Sequence, residues 1–167
     1  MTLRLILTRH AKSSWASPTM DDHARPLNRR GESSAKAIGA WLAAEGYVPE
    51  LALVSSATRT RETWALIAEA FDPVPEARFV DALYHAEPNT LLQQLHAVEA
   101  QSAMMIAHNP GIAFFAQGLV AALPGDARFE RYPTGATAVI DFDAPDWASV
   151  TWNTGTVAGL AFPRDLI

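Results

Sequence analysis

The chain has 167 residues, of which 49% are hydrophobic and 19% are charged, a balance typical of one globular domain with a substantial core. Its 13 Lys and Arg against 18 Asp and Glu give a formal net charge of −5, which argues against a general nucleic-acid-binding protein. The chain has no cysteine, which excludes disulfides, thiolate nucleophiles, zinc fingers and iron–sulfur clusters.

The first predicted element is a buried strand at residues 3–8, "LRLILT", which is short, Leu-rich and bounded by charge. This apolar run is too short for the core of a signal peptide, and no stretch approaches the ~20 apolar residues that span a bilayer. We therefore expect a cytoplasmic protein with no membrane partner. A polar loop separates this strand from a predicted helix at residues 29–45, which Asn28 caps and Gly46 ends.

The rest of the chain alternates short apolar runs with longer stretches of helical period. Further strands are predicted at residues 51–56, 77–83, 102–108, 135–142 and 148–154, and further helices at residues 58–71, 87–100 and 109–123. The strand at 77–83 is weak and fits a sheet edge, and the last two strands fit an antiparallel hairpin. This order predicts an α/β fold with a mostly parallel central sheet, helices on both faces and antiparallel strands at the C-terminal edge. We find no repeat or linker, so residues 1–167 are expected to form a single domain.

Cationic side chains follow three of the predicted strands. Arg9 and His10 come after the first strand, Arg59 lies just beyond the second, and His108 follows the third. Sites in parallel α/β sheets form beyond the carboxyl ends of the strands, so we expect these four side chains to converge. Arginine forks and helix N-termini bind tetrahedral oxyanions well, which points to a phosphoryl group. There is no Walker-type loop and no Gly-x-Gly-x-x-Gly, so no nucleotide cofactor is indicated.

Three motifs, "LTRHAKSSW", "SSATRTRET" and "IAHNPG", resemble those of the histidine phosphatase superfamily. The short chain and the stretches "DDHARPLNRRG" and "PTGATAVIDF" are most similar to its SixA-type phosphohistidine phosphatase branch. The resemblance covers nearly the whole chain, with the motifs in family order. The segment between the second strand's helix and the third strand is short. Because larger members build a lid there, the resemblance also implies a small or absent cap.

The resemblance assigns His10 as a nucleophile that forms a phosphohistidine intermediate, which water then hydrolyses. Arg9, Arg59 and His108 would hold the equatorial oxygens of the phosphoryl group. Neighbouring arginine cations should lower the pKa of His10 and keep its imidazole neutral. Its other ring nitrogen needs an acceptor, which the sequence does not identify.

The general acid is left open between Glu87, in "YHAEPNT", and Asp22, in "DDHARPL". An acidic residue at a helix start, like Glu87, is also favourable for the helix dipole alone. Arg25 and Ser13 are candidate substrate-binding residues; alternatively, Arg25 forms only a surface ion pair with Asp22. Lys12 and Ser14 are candidate phosphate donors or, alternatively, only form the turn, and Thr134 and Thr137 are expected near the pocket.

Other conspicuous side chains are expected to have structural roles. The "DDH" stretch has no second ligand pair, so no metal site and no cofactor are predicted. His23, His85 and His96 are expected to be structural or exposed, and the five tryptophans to build the core; these are Trp15, Trp41, Trp64, Trp147 and Trp152.

The resemblance therefore implies a metal-independent phosphatase that acts on phosphohistidine in a signalling or phosphotransfer protein. A small-molecule phosphomonoesterase, acting on a sugar phosphate or another organic phosphate, is the alternative. A third hypothesis is a non-catalytic module that binds a phosphorylated ligand. The partner is accordingly a phosphorylated protein or a small phosphorylated substrate, and neither nucleic acid nor membrane.

Overall fold

The computed structural model describes residues 2–167, within which six strands form one sheet in the order β3-β2-β4-β1-β5-β6. The strands are β1 Thr2–Arg9, β2 Leu51–Ser55, β3 Glu76–Val80, β4 Ser102–Ala107, β5 Thr137–Asp143 and β6 Thr156–Ala161. The four strands β3, β2, β4 and β1 are parallel neighbours, whereas β5 and β6 pair antiparallel at the other edge. The predicted fold class is confirmed, including the edge position of β3.

The helices are α1 Arg29–Glu45, α2 Thr58–Ala68, α3 Pro88–His96, α4 Gly111–Leu119, α5 Arg128–Arg131 and α6 Pro163–Leu166. Helix α1 begins and ends where the sequence predicts. The Asn28 side chain accepts a hydrogen bond from the Gly31 N–H at 2.8 Å, and Gly46 adopts a left-handed conformation with φ 77°. Helices α2, α3 and α4 end earlier than predicted.

The helices cover both faces of the sheet, and side chains alternate along each strand to fill the two cores. On one face, Leu5 and Leu7 of β1 pack with the buried residues of α3 and α4, such as Leu91 and Phe115. On the other face, Ile6 packs with buried residues of α1 and α2, such as Ile38. Between α2 and β4 the chain forms only β3, a 3-10 turn and α3, so it builds no large cap.

The prediction of a strand at residues 148–154 is wrong. Residues 147–149 form a 3-10 turn, and the second antiparallel strand, β6, begins only at Thr156. The alternating pattern arises because Val150 is buried and Trp152, partly buried, packs against the same core. Both residues follow the turn, which the Asp146 side chain caps by accepting from the Ser149 N–H. The actual strand, "TVAGLA", is short of large apolar residues, and its sequence therefore carries a weak strand signal.

Candidate active site

The sheet brings the cationic side chains to one pocket of about 350 Å³ at the carboxyl ends of the parallel strands. Arg9 is the last residue of β1 and His10 follows it; Arg59 lies in the first turn of α2, and His108 follows β4. The full lining is Arg9, His10, Lys12, Ser13, Trp15, Asp22, Arg25, Arg59, His85, His108, Asn109 and Thr134. The four strand-end residues and three further candidates, Ser13, Asp22 and Arg25, thus share one cavity.

The backbone around His10 fixes the orientation of its ring. His10 Nδ1 donates a hydrogen bond to the carbonyl oxygen of Ala11 at 2.7 Å, which places the proton on Nδ1 and leaves the lone pair on Nε2. The Gly135 N–H donates to the carbonyl oxygens of both Arg9 and His10, at 3.1 and 3.0 Å. Burial, reinforced by the charges of Arg9 and Arg59, lowers the pKa of His10 to about 3, so the imidazole is neutral near pH 7.

His108 forms the opposite side of the pocket floor. Its ring centroid lies 5.3 Å from that of His10, and its Nε2 lies 2.7 Å from Ser55 Oγ. Burial, together with the nearby His10 and Arg59, lowers the pKa of His108 to about 2. The floor therefore holds two neutral imidazoles side by side.

Several polar atoms of the pocket are buried without a hydrogen-bond partner within residues 2–167. These atoms are the Nε of Arg9, Arg25 and Arg59, Nδ1 of His108 and Oδ1 of Asn109. All five belong to residues that line the pocket. Because unpaired buried polar groups cost free energy, proteins retain them mainly where function requires them. Four of the five atoms are nitrogens, as expected at a site for an anion.

Asp22 joins the cations of the pocket. Arg59 donates to the Asp22 backbone oxygen at 2.8 Å and to Oδ2 at 3.1 Å, while Arg25 donates to Oδ1 at 3.1 Å. The Tyr84 hydroxyl donates to Oδ2 at 2.5 Å, and His85 Nε2 lies 3.3 Å from the same oxygen. The Tyr84 hydrogen bond and the two guanidinium groups hold the pKa of Asp22 well below its usual range. The carboxylate therefore stays ionised and holds Arg59 in place.

Arg25 links the pocket to its exposed rim. One guanidinium nitrogen donates to Ser13 Oγ, and the group stacks on the Trp15 ring with its carbon 3.7 Å from the ring centroid. Trp15 is 77% exposed, so the expectation that it builds the core is wrong for this tryptophan. Trp15 lies in the loop after β1, where its ring packs on the Arg25 guanidinium and not on apolar side chains.

Comparison with known proteins identifies the family. The model of the histidine phosphatase superfamily, branch 1, matches residues 5–84, which include Arg9, His10 and Arg59. An uncharacterized protein of Mycobacterium tuberculosis is 32% identical over 163 residues, which cover 93% of this chain and 99% of the relative. The chain belongs to the histidine phosphatase superfamily.

This histidine phosphatase is also similar to an uncharacterized chloroplast protein of Arabidopsis thaliana, with 34% identity over 119 residues. That match covers 65% of this chain and 55% of the relative, so the chain spans about half of that relative's length. Among solved structures, a proposed phosphohistidine phosphatase SixA of Agrobacterium tumefaciens has a TM-score of 0.80 and 29% identity. The match covers 96% of this chain and 98% of the Agrobacterium tumefaciens chain. These similarities confirm the SixA-type branch and a phosphatase that acts on a phosphorylated substrate.

The sequence prediction gave no role in the pocket region of this histidine phosphatase to Tyr84 and His85. His85 lines the pocket, and its ring contacts those of Tyr84 and His108, with centroids 4.1 and 5.5 Å away. Both missed residues follow β3, but the 3-10 turn Asp81–Leu83 separates them from its last residue, Val80, so the rule on strand ends does not place them. His85 also has a φ of 51°, a left-handed conformation that is uncommon for a residue other than glycine.

The two candidate acids of the phosphatase lie in different places. Asp22 lines the pocket, whereas Glu87 is exposed at the N-cap of α3 and is not among the lining residues. Pro88 follows Glu87 as the first residue of that helix. His23, from the same "DDH" stretch as Asp22, contacts Ser56 Oγ through Nε2 at 3.0 Å.

Two features are absent from the part of the phosphatase that the structure describes. Within residues 2–167, no three His, Asp or Glu side chains are grouped so as to hold a metal ion. In the same residues, no helix has the length and apolar character that a membrane crossing requires.

Proposed function

We propose that this phosphatase removes the phosphoryl group from phosphohistidine on a protein, through a covalent intermediate on His10. The SixA assignment of the Agrobacterium tumefaciens structure supports this substrate class. The reaction as proposed uses neither a metal nor a cofactor, because the cationic side chains of the pocket would themselves stabilise the negative charge of the phosphoryl group.

In the proposed first step, His10 Nε2 attacks phosphorus in line. A bond forms between Nε2 and phosphorus as the bond to the leaving group breaks, and the leaving group keeps the electron pair. Two observations support this role for His10: the Ala11 carbonyl oxygen holds the proton on Nδ1, and the lowered pKa keeps Nε2 unprotonated. Water then attacks the phosphorus of phospho-His10, releases phosphate and restores the free imidazole.

The proposed role of Arg9, Arg59 and His108 is to hold the equatorial oxygens during both displacements. Arg59 is 3% exposed, so its charge acts in a poorly solvated place where it is worth more than at the surface. In this scheme Asp22 is a positioning residue, since its carboxylate binds both Arg59 and Arg25. Arg25 and Ser13 form the side of the pocket next to the rim.

One observation carries the choice of substrate: among the described residues that line the pocket, Asp22 is the sole carboxylic acid, and its pKa is lowered. The pocket thus offers no protonated carboxyl group to an alkoxide leaving group. A phosphohistidine ring can carry its proton on the nitrogen remote from phosphorus and so leave as neutral imidazole. General acid catalysis contributes about 10²- to 10⁴-fold where it operates, so the lack of a protonated carboxyl group favours phosphohistidine over an alkyl ester.

The test is a substrate panel on the wild type and on His10→Ala. The panel contains a phosphohistidine protein, a sugar phosphate and an aryl phosphate with a good leaving group. We expect kcat/KM for phosphohistidine to exceed that for the sugar phosphate by at least about a hundredfold, because only the alkyl ester needs a proton donor. His10→Ala should lower kcat on every substrate by at least about a thousandfold.

Circular dichroism of His10→Ala serves as the control for folding. If the wild type turns over the sugar phosphate as fast as phosphohistidine, the alternative of a small-molecule phosphomonoesterase replaces the proposal. If His10→Ala keeps near wild-type activity, the nucleophile is assigned wrongly.

A further inference from the structure

A second and larger groove lies beside the catalytic pocket. It has a volume of about 920 Å³ and is formed by the loop at Lys12, the N-terminal half of α1, and the region of α5 and α6. Its charged side chains are all positive: Lys12, Arg29, Arg30, Arg128, Arg131 and Arg164. No Asp or Glu is among its described lining residues. We call these six residues and the space between them the basic groove.

Most of the charge in the basic groove is available to a partner. Arg128 is already bound by the carboxylates of Asp126 and Asp165, at 2.7 and 2.8 Å. In contrast, Arg29, Arg30 and Arg131 are exposed, and within residues 2–167 none of them has a carboxylate within ion-pair distance. Because the chain as a whole carries a formal charge of −5, this concentration of cations is local and not a property of the whole surface.

The walls of the basic groove suit a polypeptide better than an isolated phosphate. Apolar side chains of Pro133, Phe162, Pro163 and Ile167 lie between the cations. Compact phosphate sites hold their anion on several convergent donors, whereas here the cations are spread around a wide, partly apolar space. An acidic peptide, with carboxylates along one side and aliphatic carbons between them, matches this pattern.

The basic groove is continuous with the catalytic pocket. Lys12 and Thr134 line both spaces. The connecting loop is held against α1, because the Asn28 N–H donates to the Lys12 carbonyl oxygen at 3.0 Å. Gly31 packs so closely there that a Cβ atom would lie 2.0 Å from that same oxygen. A substrate protein whose phosphorylated side chain enters the pocket can therefore extend along this fixed loop into the groove.

We propose that the basic groove binds an acidic stretch of the phosphorylated protein, next in sequence to the phosphohistidine that enters the catalytic pocket. This proposal rests on the proposed function for the identity of the phosphorylated residue. Peptide binding by the groove depends only on the charge and shape described above, so it can be tested independently of the phosphorylated residue.

The first measurement is binding of a fluorescein-labelled, Glu-rich peptide without phosphate, followed by fluorescence anisotropy. The variant is Arg30→Glu/Arg131→Glu, which reverses two exposed charges of the groove. The matched control is Lys36→Glu/Arg78→Glu, which reverses two exposed charges that do not line the groove and so changes the net charge equally. We expect the double variant to weaken binding about tenfold and the control to stay within about twofold of wild type. Added salt should weaken wild-type binding.

The second measurement compares two phosphohistidine peptides that differ only in neighbouring residues, four Glu in one and four Gln in the other. The wild type should prefer the Glu peptide about tenfold in kcat/KM, mainly through KM, and the double variant should lose this preference. Rates on p-nitrophenyl phosphate normalise each enzyme. Both replaced side chains are exposed, and Glu near the start of α1 is favourable for the helix dipole, so the double variant should fold.

The outcomes separate the two proposals. Equal binding of the Glu and Gln peptides by the wild type overturns the groove proposal, whichever substrate is hydrolysed. Peptide binding that is unchanged in the double variant overturns it as well; if inorganic polyphosphate binds the wild type and not the double variant in the same assay, the groove is instead a site for a non-peptide polyanion. If the Glu peptide binds as expected but neither phosphopeptide is hydrolysed, the groove proposal stands and the proposed phosphohistidine substrate fails.

Discussion

The floor and the rim of the catalytic pocket differ sharply in burial and in electrostatic character. On the floor, His10, Arg59 and His108 are between 3% and 6% exposed, and both imidazoles have strongly lowered pKa values. At the rim, Trp15 is 77% exposed and the His85 side chain 57% exposed. The rim also continues into the basic groove through Lys12 and Thr134.

This difference separates chemistry from substrate choice. Every phosphoryl group that reaches the floor meets the same buried donors, so changes to the floor should affect all substrates alike. Burying cations without a full set of partners lowers the free energy of unfolding, and proteins retain such groups mainly where function requires them. The rim touches the part of the substrate that varies, so changes there should be smaller and should depend on the substrate.

The largest effect is expected from Arg59→Ala on the floor. The proposed mechanism places this buried cation against the transferring phosphoryl group, so its loss should lower kcat/KM by about 10²- to 10³-fold. The loss should be similar for phosphohistidine and p-nitrophenyl phosphate, which steady-state kinetics on both would show. Arg59→Lys is the matched control: it keeps the charge but lacks the planar fork that now binds Asp22, so it should recover only part of the rate. A loss confined to one substrate would contradict the division between floor and rim.

The next effect concerns stability against pH. His10 and His108 have folded-state pKa values of about 3 and 2, below the 6.5 of an unfolded histidine. Between pH 6.5 and the folded-state pKa of each histidine, the unfolded chain binds more protons than the folded chain. The contribution of the two neutral histidines to the free energy of unfolding is therefore complete above pH 6.5 and is lost as the pH falls. Each should remove roughly 1 kcal/mol of unfolding free energy per pH unit. Urea unfolding at pH 7, 6 and 5, in buffers without phosphate, measures this slope.

His108→Gln provides the control for that slope, because it removes one of the two titrating groups and should reduce the slope by about half. Asp22 also loses stabilising interactions in acid, since its folded-state pKa is lowered, but only as the pH falls below its unfolded pKa of 3.8. The loss of stability that Asp22 causes therefore lies below the measured range of pH 7 to 5. A flat stability profile from pH 7 to 5 would show that the floor is more hydrated than its burial implies.

The same division explains how much the sequence could predict. The floor follows from local patterns: buried strands are easily identified, and the residues directly after parallel strands must meet at one edge of the sheet. Arg9, His10, Arg59 and His108 could therefore be placed together without a structure. The Asn28 cap and the Gly46 stop of α1 are equally local, and they too were predicted correctly.

The rim and the groove could not be predicted in this way, because they depend on tertiary contacts between distant segments. His85 reaches the pocket through a left-handed turn after a weak edge strand, and nothing in "LYHAE" signals that turn. The exposure of Trp15 depends on the Arg25 guanidinium beneath it, ten residues further along the chain. The basic groove joins α1 to α5 and α6, whose cations are too far apart in sequence to form a motif.

The smallest effect is expected from Trp15→Ala at the rim. Trp15 offers an exposed aromatic face that a protein substrate can contact and p-nitrophenyl phosphate cannot. Such a contact at an exposed site is worth about 0.5–1 kcal/mol, so the ratio of kcat/KM for a phosphohistidine protein to that for p-nitrophenyl phosphate should fall about two- to fivefold. Trp15→Phe, which keeps an aromatic face over Arg25, should fall less. Phe114→Ala, another exposed aromatic residue that is not among the pocket lining, should leave the ratio unchanged. An equal fall on both substrates would instead place Trp15 with the floor, where it would act by holding Arg25 against Ser13 and Asp22.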